Sequence, residues 1–152
     1  MRIFNATLVI ISGLLILTSC NGQTGAIKIN KDKIGGLYEI NENGKQLNFY
    51  NSDEIFKLDT VTYISFVYFD RITRVQSDFD QGVYSLDFKL NDSGTLKFKE
   101  MTERNTGKQI CFVIGDKVMS APTILGSIPN GRGTVTVTDN KVIDQMIEYL
   151  EN

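Results

Sequence analysis

The sequence contains no histidine and no tryptophan, and it has only two cysteines among 152 residues. Without histidine, the chain cannot form a Ser/His/Asp triad, a Cys/His dyad or a zinc site with imidazole ligands. The chain also has no excess of basic residues, because its 16 lysines and arginines are outnumbered by 18 acidic residues, for a net charge of −2. We expect no nucleic-acid partner, since binding to a phosphate backbone requires a basic excess.

The residues that are present are those of a folded domain, with 41% hydrophobic and 10% aromatic side chains. The length suits one domain rather than two. An enzyme with this composition would have to use carboxylates or lysine, and no grouping in the sequence suggests a site. Glu100 and Glu103 lie three residues apart on a predicted helix, which is typical of a solvated helix face. We therefore expect a protein that is not an enzyme and has no cofactor.

An apolar segment precedes the domain. Arg2 supplies a positive charge, and the segment Ala6–Leu17 has no charged residue. It is shorter than the roughly 20 residues of a membrane span, and it ends in Leu17-Thr18-Ser19-Cys20, which resembles the bacterial lipobox. The resemblance implies that residues 1–19 are a lipoprotein signal peptide. It also implies that Cys20 carries fatty acyl chains, which make the lipid bilayer a partner of the chain.

Residues 20–36 are rich in glycine, asparagine and lysine, and we expect a flexible tether there, followed by a single domain over 37–152. With Cys20 acylated, Cys111 has no partner for a disulfide within the chain. Its apolar neighbours predict a buried side chain rather than a reactive thiol. The expected location is the cell envelope, with the domain facing the periplasm or the exterior.

From Leu37 onward, a period of two predicts β-strands. The Asn43-Gly44 pair predicts a hairpin between Leu37–Ile40 and Gln46–Tyr50. The apolar run Thr60–Phe69 predicts a central strand, and a type II′ turn is expected at Gly115-Asp116. Further strands are expected at 82–90, 109–114, 117–119 and 133–138.

Two helices are predicted between these strands. The segment Asn91-Asp92-Ser93 offers N-caps for a helix that runs to about Glu103. A second helix begins at Thr138 or Asp139 and carries a narrow apolar stripe. Its members are Ile143, Met146, Ile147 and Leu150. The predicted fold is an α+β two-layer sandwich, with a mostly antiparallel sheet and two helices packed on one face.

A spaced set of residues extends from the first helix to the last strand. Its positions are Gly94, Phe98, Thr102, Gly107, Lys108, Ser120, Ala121, Pro122, Gly131 and Gly133. Residues 84–150, which carry this set, resemble the head subdomain of the first periplasmic domain of SecD, the membrane subunit that assists protein export. The Ser-Ala-Pro triplet after Gly-Lys is the specific part. Two departures are the Gly115-Asp116 order at the turn and the bulky Ile143 and Ile147 on the last helix.

Most of the matched positions are expected to be structural. Ala121 and Pro122 predict the end of a strand with a close contact. The three glycines at 107, 131 and 133 predict turns with positive φ. Lys108 has the features of a solvated surface lysine, and the loop around Arg132 lacks the lysine and hydroxyl residues of a phosphate-binding loop. The segment 78–82 matches only the start of a calcium loop, so we expect no metal.

The resemblance implies a module that binds polypeptide, because the SecD head is implicated in holding emerging preprotein. The candidate strand edges are Leu37–Tyr50 and Thr134–Thr138, where backbone groups would be free to pair. The alternative is a dedicated inhibitor, immunity protein or accessory protein of an envelope complex built on the same fold. No later apolar segment corresponds to the membrane helices of SecD, so we expect no proton-driven motor.

Overall fold

A computed structural model describes residues 25–76 and 84–152. The predicted signal peptide, the predicted acylation site Cys20 and the segment 78–82 lie outside these residues. The strands of the described part are β1 (Ala26–Ile27), β2 (Gly35–Phe49), β3 (Ile55–Leu58), β4 (Ile64–Ser65), β5 (Phe69–Gln76), β6 (Tyr84–Leu90), β7 (Ile110–Ile114), β8 (Lys117–Ser120) and β9 (Arg132–Thr136). The α-helices are α1 (Asp92–Arg104) and α2 (Asn140–Glu151), and a short 3-10 helix spans Phe66–Tyr68.

The strands form two sheets. The first has the order β1-β5-β6-β9 and is antiparallel throughout. The second has the order β3-β2-β7-β8, with β4 also on β2. The long strand β2 pairs with β7 at its start and, in parallel, with β8 at its end, so these three strands form a closed ring of pairings. The α+β class and the mostly antiparallel pairing are confirmed, whereas the division into two sheets was not predicted.

The two sheets enclose two hydrophobic cores, and β7 contributes to both. Every residue of β7 is buried. Its alternate side chains Ile110, Phe112 and Ile114 belong to the main core, between the first sheet and the helices. Cys111 and Val113 point to the opposite side, into a smaller core within the second sheet. The strand is therefore apolar at every position because both of its faces are covered.

Both helices begin where the capping residues predict. The Asn91 side chain accepts a hydrogen bond from the Gly94 amide at 2.9 Å, and the Asp139 carboxylate accepts one from the Lys141 amide at 2.9 Å. The main core receives the apolar stripe of α2, whose buried members are Ile143, Met146 and Leu150. The predicted boundaries of both helices are confirmed within one or two residues.

The predicted hairpin at Asn43-Gly44 is wrong. Neither residue has the positive φ that a type I′ turn requires. Instead β2 continues from Gly35 to Phe49, and Leu58 of β3 faces both Ile40 and Lys45, which marks a bulge between them. The extra residues are therefore accommodated inside one long strand. This strand contributes side chains to both cores, Leu37 to the main core and Tyr38 and Leu47 to the smaller one.

The predicted central strand over Thr60–Phe69 is also wrong in most of its length. Only Ile64–Ser65 forms a short strand there, and the 3-10 helix then turns the chain into β5. Phe66 and Phe69 are both completely buried, with ring centroids 5.2 Å apart. The apolar run thus reflects a buried crossing between the sheets rather than an extended strand.

The folded domain begins earlier than the predicted boundary at residue 37. Ala26 and Ile27 pair with β5 as an edge strand, and Ile27 is buried in the main core. The Asn30 amide donates to the Leu150 carbonyl of α2 at 2.7 Å. Because these contacts fix the chain to the domain, the C-terminal part of the predicted tether 20–36 belongs to the fold.

The two-residue hairpin turn at Gly115-Asp116 is confirmed, and its φ signs are those of type II′. Gly115 has φ of +61°, while Asp116 does not have a positive φ, as a type II′ turn requires. The turn joins β7 to β8, with Ile114 facing Lys117. The predicted strands at 82–90 and 133–138 correspond to β6 and β9 within the described residues.

Two of the three glycines predicted to have positive φ, Gly107 and Gly131, have φ of +81° and +64°. The prediction is wrong for Gly133, which lies inside β9 and pairs with Phe88 of β6. The surroundings of Gly107 and Gly131 differ. A Cβ atom at Gly107 would meet nothing within 4 Å, whereas one at Gly131 would lie 2.0 Å from the Thr95 Oγ1 atom of α1. Gly107 therefore supplies only a backbone conformation, and Gly131 in addition allows the start of β9 to approach α1.

We expect Gly107→Ala to lower the free energy of unfolding by about 1–2 kcal/mol, since only the left-handed conformation is penalised. Gly131→Ala should lose about 1–3 kcal/mol more, because the new methyl group collides with Thr95. Denaturant unfolding of the two variants measures the difference, and Thr95→Ala in the Gly131→Ala background should recover part of the loss. Equal losses at the two positions would contradict this account.

Cys111 is a free thiol with no exposed surface, and burial raises its pKa to about 12. The unfolded chain loses this proton at a lower pH, near 8.5. Above that pH the thiol ionises in the unfolded chain but not in the folded one, which lowers the free energy of unfolding. The contribution of the neutral thiol to stability is therefore lost as the pH rises toward 12. We expect the free energy of unfolding of the wild-type chain to fall more steeply between pH 9 and 11, by up to about 1.4 kcal/mol per pH unit, than that of Cys111→Ala. Parallel pH profiles in denaturant unfolding would show that the thiol does not contribute.

Candidate functional site

An apolar cleft of about 470 Å³ lies between β9 and the loop that connects β8 to β9. Its floor consists of buried side chains from the main core, and the loop forms one wall. The lining residues are Leu37, Phe88, Phe98, Ile110, Phe112, Ser120, Pro122, Thr123, Ile124, Leu125, Gly126, Ser127, Ile128, Gly133, Thr134 and Val135. The cleft has a volume within the range of small-ligand sites.

The first turn of this loop is held by backbone hydrogen bonds to the segment after α1. The Gly107 amide donates to the Ile124 carbonyl at 2.7 Å, and the Ile124 amide donates to the Lys108 carbonyl at 2.8 Å. Further along, the Ile110 amide donates to the Pro122 carbonyl at 3.2 Å. The two separated parts of the sequence pattern, Gly-Lys and Ser-Ala-Pro, therefore lie side by side, and their pairing shapes one wall of the cleft.

The last turn of the loop is fixed by Thr102, which is completely buried on α1. Its hydroxyl accepts a hydrogen bond from the Ile128 amide at 2.9 Å. The same hydroxyl lies 2.8 Å from the Phe98 carbonyl, to which it donates. A buried hydroxyl that serves both a helix and a loop in this way is satisfied, so the loop is tied to α1 at little cost in desolvation.

The chemistry of the cleft is that of a binding surface. None of the described residues that line it is ionisable, and its polar groups are hydroxyls and backbone. Leu125 stands at the rim with 90% of its surface exposed. The cleft thus offers apolar burial with a few hydrogen-bonding groups, and it has no group that could transfer a proton at neutral pH.

The strand that borders the cleft, β9, is an edge of the first sheet. The Leu90 amide donates to the Gly131 carbonyl. Two and four residues further along β9, Gly133 faces Phe88 and Val135 faces Leu86. In an antiparallel pair, the residues between them direct their amides and carbonyls away from the partner. Thr134 therefore presents its backbone groups toward the cleft side of β9.

The other predicted edge, Leu37–Tyr50, is not an edge. These residues belong to β2, which pairs with β7 on one side and with β4 and β3 on the other. The prediction depended on a separate hairpin, and the continuous strand removes that possibility.

The structure brings together most of the sequence-predicted positions around the cleft. Phe98, Ser120, Pro122 and Gly133 line it. Thr102, Gly107, Lys108 and Ala121 support its wall through hydrogen bonds. Lys108 is exposed and contributes its carbonyl rather than its charge. Gly94 and Gly131 lie away from the lining, at the start of α1 and of β9.

Sequence reasoning missed two apolar residues of the loop. Ile124 and Leu125 line the cleft, although they lie in a segment without a strand or helix pattern. A signal was available, because the segment between Pro122 and Pro129 contains large apolar residues where a solvated loop would have polar ones.

Within residues 25–76 and 84–152, no group of three acidic or cysteine side chains is arranged to hold a metal ion. No helix in the same residues has the length and apolar character needed to cross a membrane.

Comparison with known proteins identifies relatives of this domain. The family model "SecDF, P1 head subdomain" matches residues 57–142, from β3 to the first turn of α2. The protein translocase subunit SecD of Rickettsia felis is 40% identical over 68 residues, which are 44% of this chain and 13% of that protein. SecD of Sebaldella termitidis is 45% identical over 49 residues, or 32% of this chain and 12% of that protein. The chain thus spans about an eighth of the length of these curated relatives.

Solved structures of SecDF share the fold. One, described as a membrane component that enhances protein export, aligns with a TM-score of 0.63 at 16% identity and covers 78% of this chain and 62% of that chain. Another, in a super-membrane-facing form, aligns with a TM-score of 0.62 and covers 78% of this chain and 18% of that chain. The family match covers more than half of the sequence and includes the strands, the helix and the loop that build the cleft. The chain belongs to the SecDF P1 head subdomain family.

Proposed function

We propose that this protein is a membrane-anchored envelope lipoprotein whose SecD-head-like domain binds extended polypeptide in connection with protein export, without enzymatic activity. The observation that carries the proposal is the apolar cleft beside the free edge of β9. The relatives are named as subunits of the protein translocase, which is consistent with a polypeptide ligand.

An extended polypeptide would bind as an additional strand. The outward backbone groups of β9 would pair with the ligand backbone, which every sequence offers. Because alternate side chains of a strand point to opposite sides, every second side chain of the ligand would enter the cleft. Hydrogen bonds to the backbone thus give binding without sequence specificity, and the cleft adds a preference for apolar side chains.

The expected affinity is modest. Burial of one leucine or phenylalanine side chain contributes about 1.5–3 kcal/mol, and the ligand loses conformational freedom when it becomes extended. The cleft has no charged group to add a strong directional contact. Weak binding suits a protein that holds a passing chain and releases it.

The membrane anchor is the second part of the proposal. The lipobox-like segment Leu17-Thr18-Ser19-Cys20 supports acylation of Cys20. Two or more acyl chains make dissociation from a bilayer negligible, since each buried methylene contributes about 0.8 kcal/mol. An anchored domain would meet polypeptides at the membrane surface rather than in solution.

The cleft is tested with Leu125→Asp. We expect at least about tenfold weaker binding of a fluorescein-labelled peptide of alternating leucine and serine, because the exposed rim of the cleft loses apolar contact and gains a charge. Fluorescence anisotropy measures the affinity. Leu125 is 90% exposed, so the fold should persist.

The matched control is Val61→Asp. Val61 is 87% exposed and lies outside the cleft, so this variant should bind the peptide as the wild type does. Equal binding by the Leu125 variant and the wild type would remove the cleft from the binding site. A wild-type chain that fails to bind any extended peptide would refute the proposed function itself.

The anchor is tested with Cys20→Ser. In cells fed an alkyne-tagged fatty acid, the wild-type chain should be labelled and this variant should be unlabelled and longer by the uncleaved signal peptide. Cys111→Ala is the matched control, because the buried thiol is not an acylation site and labelling should persist. Acyl labelling of the Cys20 variant at the wild-type level would exclude the proposed lipobox.

A further inference from the structure

The first sheet has one face under the helices and one face open to solvent. On β6, Leu86, Phe88 and Leu90 enter the main core. The alternate residues, Asp87 and Lys89 among them, point to the opposite side, which we call the outer face. An open depression of about 500 Å³ lies on this face. No other element of the described residues covers the outer face, so its chemistry is available to a partner.

Basic side chains line up across the outer face. Arg71 of β5 faces Lys89 of β6, and Lys89 faces Arg132 of β9. The register of β1 pairs Ala26 with Thr73 and Ile27 with Ile72, so the exposed Lys28, which directly follows β1, would stand beside Arg71 if the same register continued by one residue. Arg71, Lys89 and Arg132 form a row across three strands, and Lys28 extends it just after the end of β1; we call these four residues the basic row.

The basic row is not a consequence of composition, because the whole chain has a net charge of −2. Two carboxylates on neighbouring positions are Asp70 and Asp87. Asp70 is 3.9 Å from the Lys89 ammonium, and Asp87 accepts a hydrogen bond from the Thr134 hydroxyl at 2.8 Å. Like charges at directly opposite positions of neighbouring strands repel one another. An arrangement that costs stability in this way indicates a negatively charged partner.

The position of the proposed anchor indicates which negatively charged partner lies nearest to the basic row. Ala26, the first residue of β1, follows Cys20 by only six positions, and a fully extended chain of that length reaches about 20 Å. β1 is an edge strand of the same sheet, and Lys28 begins the basic row. An acylated Cys20 would therefore hold this sheet, rather than the second sheet, close to the lipid headgroups.

We propose that the outer face of the first sheet docks on the anionic phospholipid headgroups of the membrane to which Cys20 is anchored. This proposal rests on the lipid anchor of the proposed function. Each lysine or arginine close to an anionic bilayer adds to the attraction. Because the tether makes the contact intramolecular, even this weak attraction orients the domain.

The residues beyond the basic row fit a flat surface. The next two rows contain Thr73, Asp87 and Thr134, and then Val75, Ser85 and Thr136. Their short side chains leave the longer lysines and arginines as the most protruding groups. A broad layer of phosphates can contact several of these cations at once, whereas a narrow ligand would reach only part of the row.

The test uses the acylated full-length chain, purified from membranes and placed on vesicles. One single-cysteine label replaces Thr136, on the outer face, and another replaces Gln145, an exposed residue of α2 on the opposite side of the sheet. The native Cys111 is buried and is not labelled. Quenching of each label by headgroup spin-labelled lipid reports its closeness to the bilayer.

On phosphatidylcholine vesicles with roughly a third phosphatidylglycerol, we expect roughly twofold stronger quenching at residue 136 than at residue 145. The difference should disappear on pure phosphatidylcholine and in about 0.5 M sodium chloride, where screening acts within a few ångströms. It should also disappear in the triple variant Arg71→Gln, Lys89→Gln and Arg132→Gln.

The matched control removes three charges elsewhere, with Lys45→Gln, Lys57→Gln and Lys117→Gln, all at exposed positions. This control should keep the wild-type quenching pattern. Equal quenching at the two labels on anionic vesicles, or a pattern unchanged in the triple variant, would overturn the docking proposal while leaving the anchor intact. A pattern that is the same on neutral and anionic vesicles would also overturn it, because the charge of the headgroups would then play no part in orienting the domain. A chain without acyl groups would refute the anchor and, with it, the docking proposal.

Discussion

The cleft and the main core both depend on the aromatic ring of Phe88. Its centroid lies 5.3 Å from that of Phe69, 5.8 Å from that of Phe98 and 6.4 Å from that of Phe112. These contacts join β6 to β5, α1 and β7, so one side chain connects both sheets with a helix. A Cβ atom at Gly133 would lie 2.5 Å from the Phe88 ring, so β9 can approach only because this position has no side chain. The floor of the cleft is therefore a part of the core that β9 and its loop leave accessible.

The sequence predicts local structure well where the determinants are local. Three features were predicted correctly: the helix caps at Asn91 and Asp139 and the turn at Gly115. Each of them depends only on residues a few positions away in the sequence. The hairpin at Asn43-Gly44 was predicted wrongly because its signal was also local. The pairing of one long β2 with four other strands depends on distant segments, and it overrides the turn preference.

The cleft itself could be predicted only in part, for a related reason. The resemblance placed Phe98, Ser120 and Gly133 in one pattern, but spacing along the chain does not show that two parts of a pattern pair with each other. The wall forms because the backbone after α1 bonds to the backbone after β8, and such bonds leave no mark on side-chain periodicity. Leu125 also follows no strand or helix period, so its position at the rim was visible only in three dimensions.

The two proposed surfaces place a constraint on each other. Arg132 belongs to the basic row, and its neighbours Gly133 and Thr134 line the cleft, so β9 serves both surfaces at the same time. If the outer face lies on the headgroups, the free edge of β9 runs along the bilayer surface, and the helices lie on the side away from it. A polypeptide that pairs with this edge must then also run along the membrane. The basic row would favour ligand segments with acidic or neutral flanks, since a basic flank would compete with Arg132 for the same phosphates.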